Sequence, residues 1–208
     1  MRVNKIKIYG SDSIGLFGYI ANDIAVLSEV ISKEEEKIIK DTLGLEGIVK
    51  TTIAGTPTVG SFIIGKKDLI IVPSSIYEEE LKKLEELFRV EVVDVVNNAL
   101  GNNYYYWPKK NLLFAAEDTK KEAKLLAKKL NADLYLIDTD IEVGSSLIGN
   151  SKMLLHNPDI YIDIEDAKPV TLNMGDKFVG AAALLNDKGI VVGSKTTGIE
   201  LIELQDLF

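Results

Sequence analysis

The sequence predicts a five-unit α/β ring, and three observations carry that prediction. A glycine that follows an apolar residue and opens a short apolar run recurs at Gly15, Gly60, Gly101, Gly144 and Gly180, at steps of roughly 36 to 45 residues, the period of a repeat architecture. Pairs with capping-box spacing, Ser32 with Glu35, Ser75 with Glu78, Thr119 with Glu122 and Thr197 with Glu200, follow four of these glycines in one phase. A turn signal separates each glycine's run from a second apolar run, which reads as a hairpin.

Taken in order, the turns are Asn22-Asp23, Lys66-Lys67-Asp68, Pro108 to Asn111, Asn150-Ser151-Lys152 and Asn186 to Gly189. The phrase TVGSFIIGKKDLIIVP (58–73) and its echo EVGSSLIGNSKMLL (142–155) open the second and fourth hairpins. A capped helix follows in units one, two, three and five, with a core face such as Leu81, Leu84, Leu87 and Phe88 at helical spacing. The runs GIVKTTIA, VEVVDVV and ADLYLID then read as a third strand leading to the next glycine. In unit four, HNPDIYIDIEDAKPVTLNMG has neither capping box nor helical stripe, so that unit is expected to have lost its helix.

A unit of about 40 residues cannot bury its own apolar face, so the units must pack on one another, and a ring also covers strand edges. A β-propeller has a similar period, but its blades hold four strands and no regular helix. One domain over 1–208 is expected, with units near 1–54, 55–97, 98–140, 141–175 and 176–208 and no Pro-, Gly- or Ser-rich linker between them.

Composition narrows the chemistry. With 46% hydrophobic and 27% charged residues the chain can build a sizeable core. No apolar stretch approaches the roughly 18 residues of a membrane span, and the first twenty residues lack a signal-peptide pattern, so a cytoplasmic address is expected and no membrane partner. There is no cysteine and a single histidine, His156, which excludes disulfides, thiolate metal ligands and a cysteine nucleophile. A net charge of −8 argues against non-specific phosphate binding, and hence against DNA. No P-loop, dinucleotide fingerprint or zinc-ligand spacing is present, so no cofactor and no metal are expected.

Five hairpin-plus-helix units, the phrases TVGSFIIG and EVGSS, ALGN at 99–102 and the ending VGAAALLNDKGIVVGSKTTGIELIELQDLF resemble the translation initiation factor 6 family in its short, archaeal form. The similarity runs essentially from end to end. It implies a pentein fold with pseudo-fivefold symmetry. It also implies a monomer that binds the large ribosomal subunit on its intersubunit face, through a ribosomal protein near the sarcin-ricin loop and with rRNA a further contact. Such a factor blocks joining of the small subunit by occupancy and takes part in maturation of the large one. Carried over residue by residue, the resemblance assigns a ribosome contact to Asn102 of ALGN above all, then to its neighbour Gly101, Gly60 with Ser61, Gly144 with Ser145, and Asn173 with Gly175 of the Asn-x-Gly before the last unit. Met174 departs from the basic residue usual there, and Thr196, Thr197, Gly198 and Glu200 match a TTG-x-E whose Thr197 and Glu200 a helix cap already explains.

Simpler readings stand beside these. The repeated glycines fit crowding where strands approach the axis. The run Tyr104, Tyr105, Tyr106 and Trp107 could stack on RNA bases, but alternate strand residues must enter the core. His156 reads as a satisfied, partly buried imidazole, and Asp159, Asp163, Glu165 and Asp166 as solvated surface lacking calcium-loop spacing. Two alternatives remain: a guanidino-modifying enzyme of the same fold, disfavoured without a cysteine, and a binding module for another protein or RNA.

Overall fold

The computed structural model describes residues 1–207. The chain opens with strand β1 (Arg2–Ile6). Unit one then runs through a 3-10 turn (Ile14–Phe17), β2 (Gly18–Ala21), β3 (Ile24–Ser28), α1 (Lys33–Leu43) and β4 (Gly47–Thr51). Unit two repeats it with a turn at Val59–Phe62, β5 (Ile64–Gly65), β6 (Leu69–Pro73), α2 (Glu78–Glu85) and β7 (Arg89–Val93). Unit three has the one-turn helix α3 (Leu100–Asn103), β8 (Tyr104–Trp107), β9 (Leu112–Ala116), α4 (Lys120–Leu130) and β10 (Asp133–Ile137). Unit four has a turn at Gly144–Ser146, β11 (Leu147–Gly149), β12 (Leu154–His156) and β13 (Ala167–Pro169), with no helix between the last two strands. Unit five has α5 (Val179–Ala182), β14 (Ala183–Leu185), β15 (Gly189–Gly193) and α6 (Gly198–Leu207).

Each unit is one three-stranded sheet. The first two strands form an antiparallel hairpin, and the third returns parallel to the middle one, as in β2-β3-β4. A parallel return within one unit needs a crossover, which the helix supplies in units one, two and three and residues 157–166 supply in unit four. The fifth sheet takes its third strand from the start of the chain: β1 runs parallel to β15, Arg2 opposite Gly189 and Ile6 opposite Gly193. Residues 2–6 therefore lie in the fifth sheet, although sequence position groups them with the first unit. The two ends of the sequence lock the ring.

The hydrophobic core lies between units, not within them. Successive residues of a middle strand point to opposite faces, so Ala25 and Leu27 of β3 enter the core shared with unit five while Val26 enters the core shared with unit two. The same alternation divides the aromatic run: Tyr104 and Tyr106 pack toward unit two, Tyr105 and Trp107 toward unit four. Each helix roofs the core between its own unit and the one before, with Ile39 and Leu43 of α1, Leu84 of α2, Leu126 and Leu130 of α4 and Leu204 of α6. In unit four, Ile160 and Ile162 perform this role from an extended segment.

Three local expectations need correction. The repeated glycines sit on single helical turns that precede the strands, not on the strands themselves. Reciprocal capping boxes form at Ser32 with Glu35 and at Thr197 with Glu200, but α2 starts two residues late. Its cap is Tyr77, whose N–H donates to Glu80 Oε2 at 2.9 Å, and Ser75 Oγ is buried without a partner among the described residues. Thr119 Oγ1 donates instead to Ala116 O, and Glu122 accepts from Val96 N–H and Tyr104 Oη. Leu87, assigned to the core face of α2, lies at the rim with 36% exposure.

Candidate binding face on the ring

Hairpin turns and helix C-termini gather on one face of the ring, helix N-termini and the loops after the third strands on the other. The axis is closed toward this loop face by glycines. A Cβ built on Gly60 would lie under 3.0 Å from the carbonyl oxygen of Gly15, and the same relation links Gly101 to Gly60, Gly144 to Gly101, Gly180 to Gly144 and Gly15 back to Gly180. Any side chain there must displace backbone. The glycine repeat visible in the sequence is thus the steric condition for five units to meet at one point.

The residue after each glycine forms a rosette around that point: Leu16, Ser61, Asn102, Ser145 and Ala181. Ser61 and Ser145 are buried, and Ser145 Oγ donates to Glu142 Oε2 at 3.1 Å. Asn102 is half-buried, and its side-chain amide has no hydrogen bond among the described residues, unlike that of Asn103, which donates to Ala99 O. Six of the residues singled out from the sequence, Gly60, Ser61, Gly101, Asn102, Gly144 and Ser145, therefore converge on the axis.

Asn173 and Gly175 lie apart from that cluster, on the loop leading into unit five. Asn173 has φ 52° and Gly175 φ 92°. The Asn173 amide is committed internally, donating to Asp12 O at 2.9 Å and accepting from Thr196 Oγ1 at 3.1 Å. Buried Glu200 accepts from the N–H groups of Met174 and Gly175. Glu80 holds the equivalent loop of unit one through Ala54 and Gly55 N–H. For both carboxyls burial opposes ionisation, but the hydrogen bonds outweigh it and hold them below the usual range. These two carboxylates make the loops rigid parts of the face.

Of the apolar side chains on the loop face, sequence reasoning singled out Met174 alone. Tyr9 (75% exposed), Val96 (96%), Met174 (72%) and Ile199 (81%) follow the parallel strands or open α6. No periodicity marks a lone apolar residue in a loop; the only sequence signal was its place beside a turn glycine, as in Tyr9-Gly10 and Met174-Gly175. Around them the helix N-termini contribute Glu34, Glu35 and Glu36, Glu78 and Glu79, and Glu117 and Asp118. The last turns at the opposite face carry Lys40, Lys82, Lys83, Lys128 and Lys129. Each sign suits its end of the helix dipole; Lys33, Lys120 and Lys121 also open these helices and Lys50 and Lys82 pair with Glu36 and Glu78, so the loop face has a rim in which carboxylates outnumber lysines rather than a purely acidic one.

The remaining candidates are structural. His156 is 5% exposed, its Nδ1 lies 2.9 Å from Asn157 O, and burial pulls it below its ordinary pKa. Asp159 pairs with Lys177, and Asp166 with Lys109 and Lys110. Among the described residues no cluster of acidic and histidine side chains could hold a metal ion, and no helix is long and apolar enough to cross a membrane.

Comparison with known proteins joins this geometry to a family. Solved structures with the same fold include the N-terminal domain of ArgZ, an arginine dihydrolase, with a TM-score of 0.57 and 15% identity over 84% of this chain and 74% of that one. At that identity only the pentein fold is shared. Translation initiation factor 6 of Sulfolobus acidocaldarius is 29% identical, covering 100% of this chain and 99% of its own, and that of Thermococcus onnurineus is 28% identical, covering 99% and 97%. The eIF-6 family model matches residues 3–207, and with the five-unit pentein ring already in place, the chain belongs to the eIF-6 family of translation initiation factors.

Proposed function

We propose that this protein is a ribosome anti-association factor. It acts as a cytoplasmic monomer, seating its loop face on the intersubunit face of the large ribosomal subunit and blocking the small subunit by occupancy. A part in large-subunit maturation follows from the same contact.

The observation that carries the reading is the loop face itself, a rigid surface with exposed apolar side chains inside a rim in which carboxylates outnumber lysines. Such a surface suits a basic protein, whose charge it complements, better than bare RNA phosphate; a ribosomal protein is the matching partner. A standard patch of about 800 Å² per partner is under a tenth of the 9445 Å² surface of this chain. Turnover has no place in the reading, since the chain has no cysteine and His156 is buried in unit four.

Sedimentation with purified large subunits tests it. The protein is expected to comigrate with them and to reduce the joined fraction when small subunits are added; no comigration refutes the proposal. Asn102→Arg should weaken binding about tenfold or more, a loss of about 1.4 kcal/mol, with an unchanged melting temperature.

A further inference from the structure

The axis is open on the other side. Behind the glycine ring a cavity of about 200 Å³ opens among the hairpin turns, continuous through Tyr19, Tyr105 and Tyr106 with an inner chamber of about 110 Å³ floored by the ring glycines. The outer cavity shares no candidate residue with the loop face, and the inner chamber meets it only through the ring glycines. The walls are aromatic and aliphatic, with Ile20 and Leu185 beside the three phenols.

Polar groups in this cavity divide into committed and free. Tyr105 Oη is bonded to the backbone of Gly149, and Tyr106 Oη donates to Asn111 Oδ1. Tyr19 Oη has no hydrogen bond among the described residues, and burial, with the Tyr105 and Tyr106 phenols nearby, raises its pKa, so it is a neutral O–H donor at neutral pH. At the mouth Lys67 pairs with Asp23. Lys66 has no carboxylate partner among the described residues; its Nζ stands 5.4 Å from the centre of the Tyr106 ring. Across the mouth Asp187 is exposed and already accepts Ser151 N–H at 2.9 Å. Two donors thus stand without a hydrogen bond to an acceptor, Tyr19 deep and Lys66 at the entrance, on an aromatic wall; the Asn22 amide and the Ser151 hydroxyl on the same lining also have no hydrogen bond among the described residues and carry both donor and acceptor atoms.

We propose that this axial cavity is a binding site for a small single-ring aromatic anion, its ring among the tyrosines and its anionic group at Lys66. The volume sets the size: pockets for drug-sized ligands measure roughly 300–1,000 Å³, and the outer cavity, at about 200 Å³, is smaller. The anionic group can be a carboxylate or a phosphate, since both accept from an ammonium.

The chain has one tryptophan, which makes the test direct. Trp107 is fully buried and its Nε1 donates to Asn150 O at 2.8 Å, on the cavity wall. Its fluorescence is followed while benzoate, phenyl phosphate or benzylamine is titrated at constant ionic strength. The expected result is a saturable change with at least one anion, with a dissociation constant of about 1 mM or tighter, and weaker binding of benzylamine; whichever of benzoate and phenyl phosphate binds tighter identifies the anionic group. Lys66→Glu, a change at the surface, should weaken the anion about fivefold or more and favour benzylamine. Tyr19→Phe should weaken it severalfold without altering the preference for anions. No saturable response to either anion, equal affinity for benzylamine, or an unchanged affinity in Lys66→Glu overturns the proposal.

Discussion

Glu80→Gln is the substitution on which the stability of the loop face can be worked out. Glu80 is 5% exposed. Its Oε1 accepts from Thr52 Oγ1 at 2.5 Å and Gly55 N–H at 2.9 Å, and its Oε2 from Ala54 N–H at 2.8 Å and Tyr77 N–H at 2.9 Å. Glutamine keeps the shape but turns one oxygen into an NH₂ group facing donors. Two hydrogen bonds to a charged acceptor are lost, at about 1.5–3 kcal/mol each, so the cost is roughly 3–6 kcal/mol. For a domain of this size that lowers the melting temperature by about 6 °C or more. The pH dependence follows from the depressed carboxyl pKa in the fold. Its stabilisation is complete above the unfolded value of 4.5 and is lost as pH falls through the lower folded value. Thermal melts by circular dichroism should therefore show a full gap between the parent and Glu80→Gln near pH 7, closing as pH drops below about 4.5. A gap under about 1 kcal/mol, or one that stays constant into acid, would refute the reasoning.

Other outcomes follow from the same geometry. Gly101→Ala would press a methyl against the carbonyl oxygen of Gly60 and should cost about 1–3 kcal/mol or more by urea unfolding. Gly198→Ala meets nothing within 4 Å and should instead gain about 0.4–1 kcal/mol; equal stability of the two variants would contradict the axial role of Gly101. Ile160→Ala removes a side chain that is 2% exposed and should cost about 2–5 kcal/mol, although it lies outside any helix or strand; a loss under about 1 kcal/mol would mean the segment does not roof its core.

What the sequence reveals and what it hides divide along physical lines. The ring glycines are legible because sterics tolerate nothing else at the axis, and the helices because charge and caps mark their starts. The cap of α2 was misplaced because Glu80 serves a long-range partner, the loop at Ala54 and Gly55, as well as its own helix. Ring closure by β1 was hidden because RVNKI is largely exposed and its partner strand lies at the far end of the chain. Asn102 was found through resemblance, and the structure supplies a feature no spacing could show, that its amide is uncommitted. The exposed Tyr9, Val96 and Ile199 carried no pattern to detect.

Unit four shows which parts of the repeat are obligatory. Its glycine, hairpin and parallel third strand survive, because they set the axis and the sheet. Its helix does not, because a helix in this ring is only a roof, and Ile160 and Ile162 provide one from a segment tied down by Asp159 to Lys177 and by Asp163 N–H to Tyr135 Oη. The loss has a consequence for binding. A ring with five equal units would meet an asymmetric partner equally well in five orientations, dividing its occupancy among them. Here the rosette carries Leu16, Ser61, Asn102, Ser145 and Ala181, five positions with only one free amide among the described residues, and one unit in five lacks a helix N-terminus at the rim, putting an exposed Tyr161 beside Asp159 and Asp163 instead. On the proposed function, these departures from symmetry are what would let a pseudo-fivefold ring dock in a single orientation.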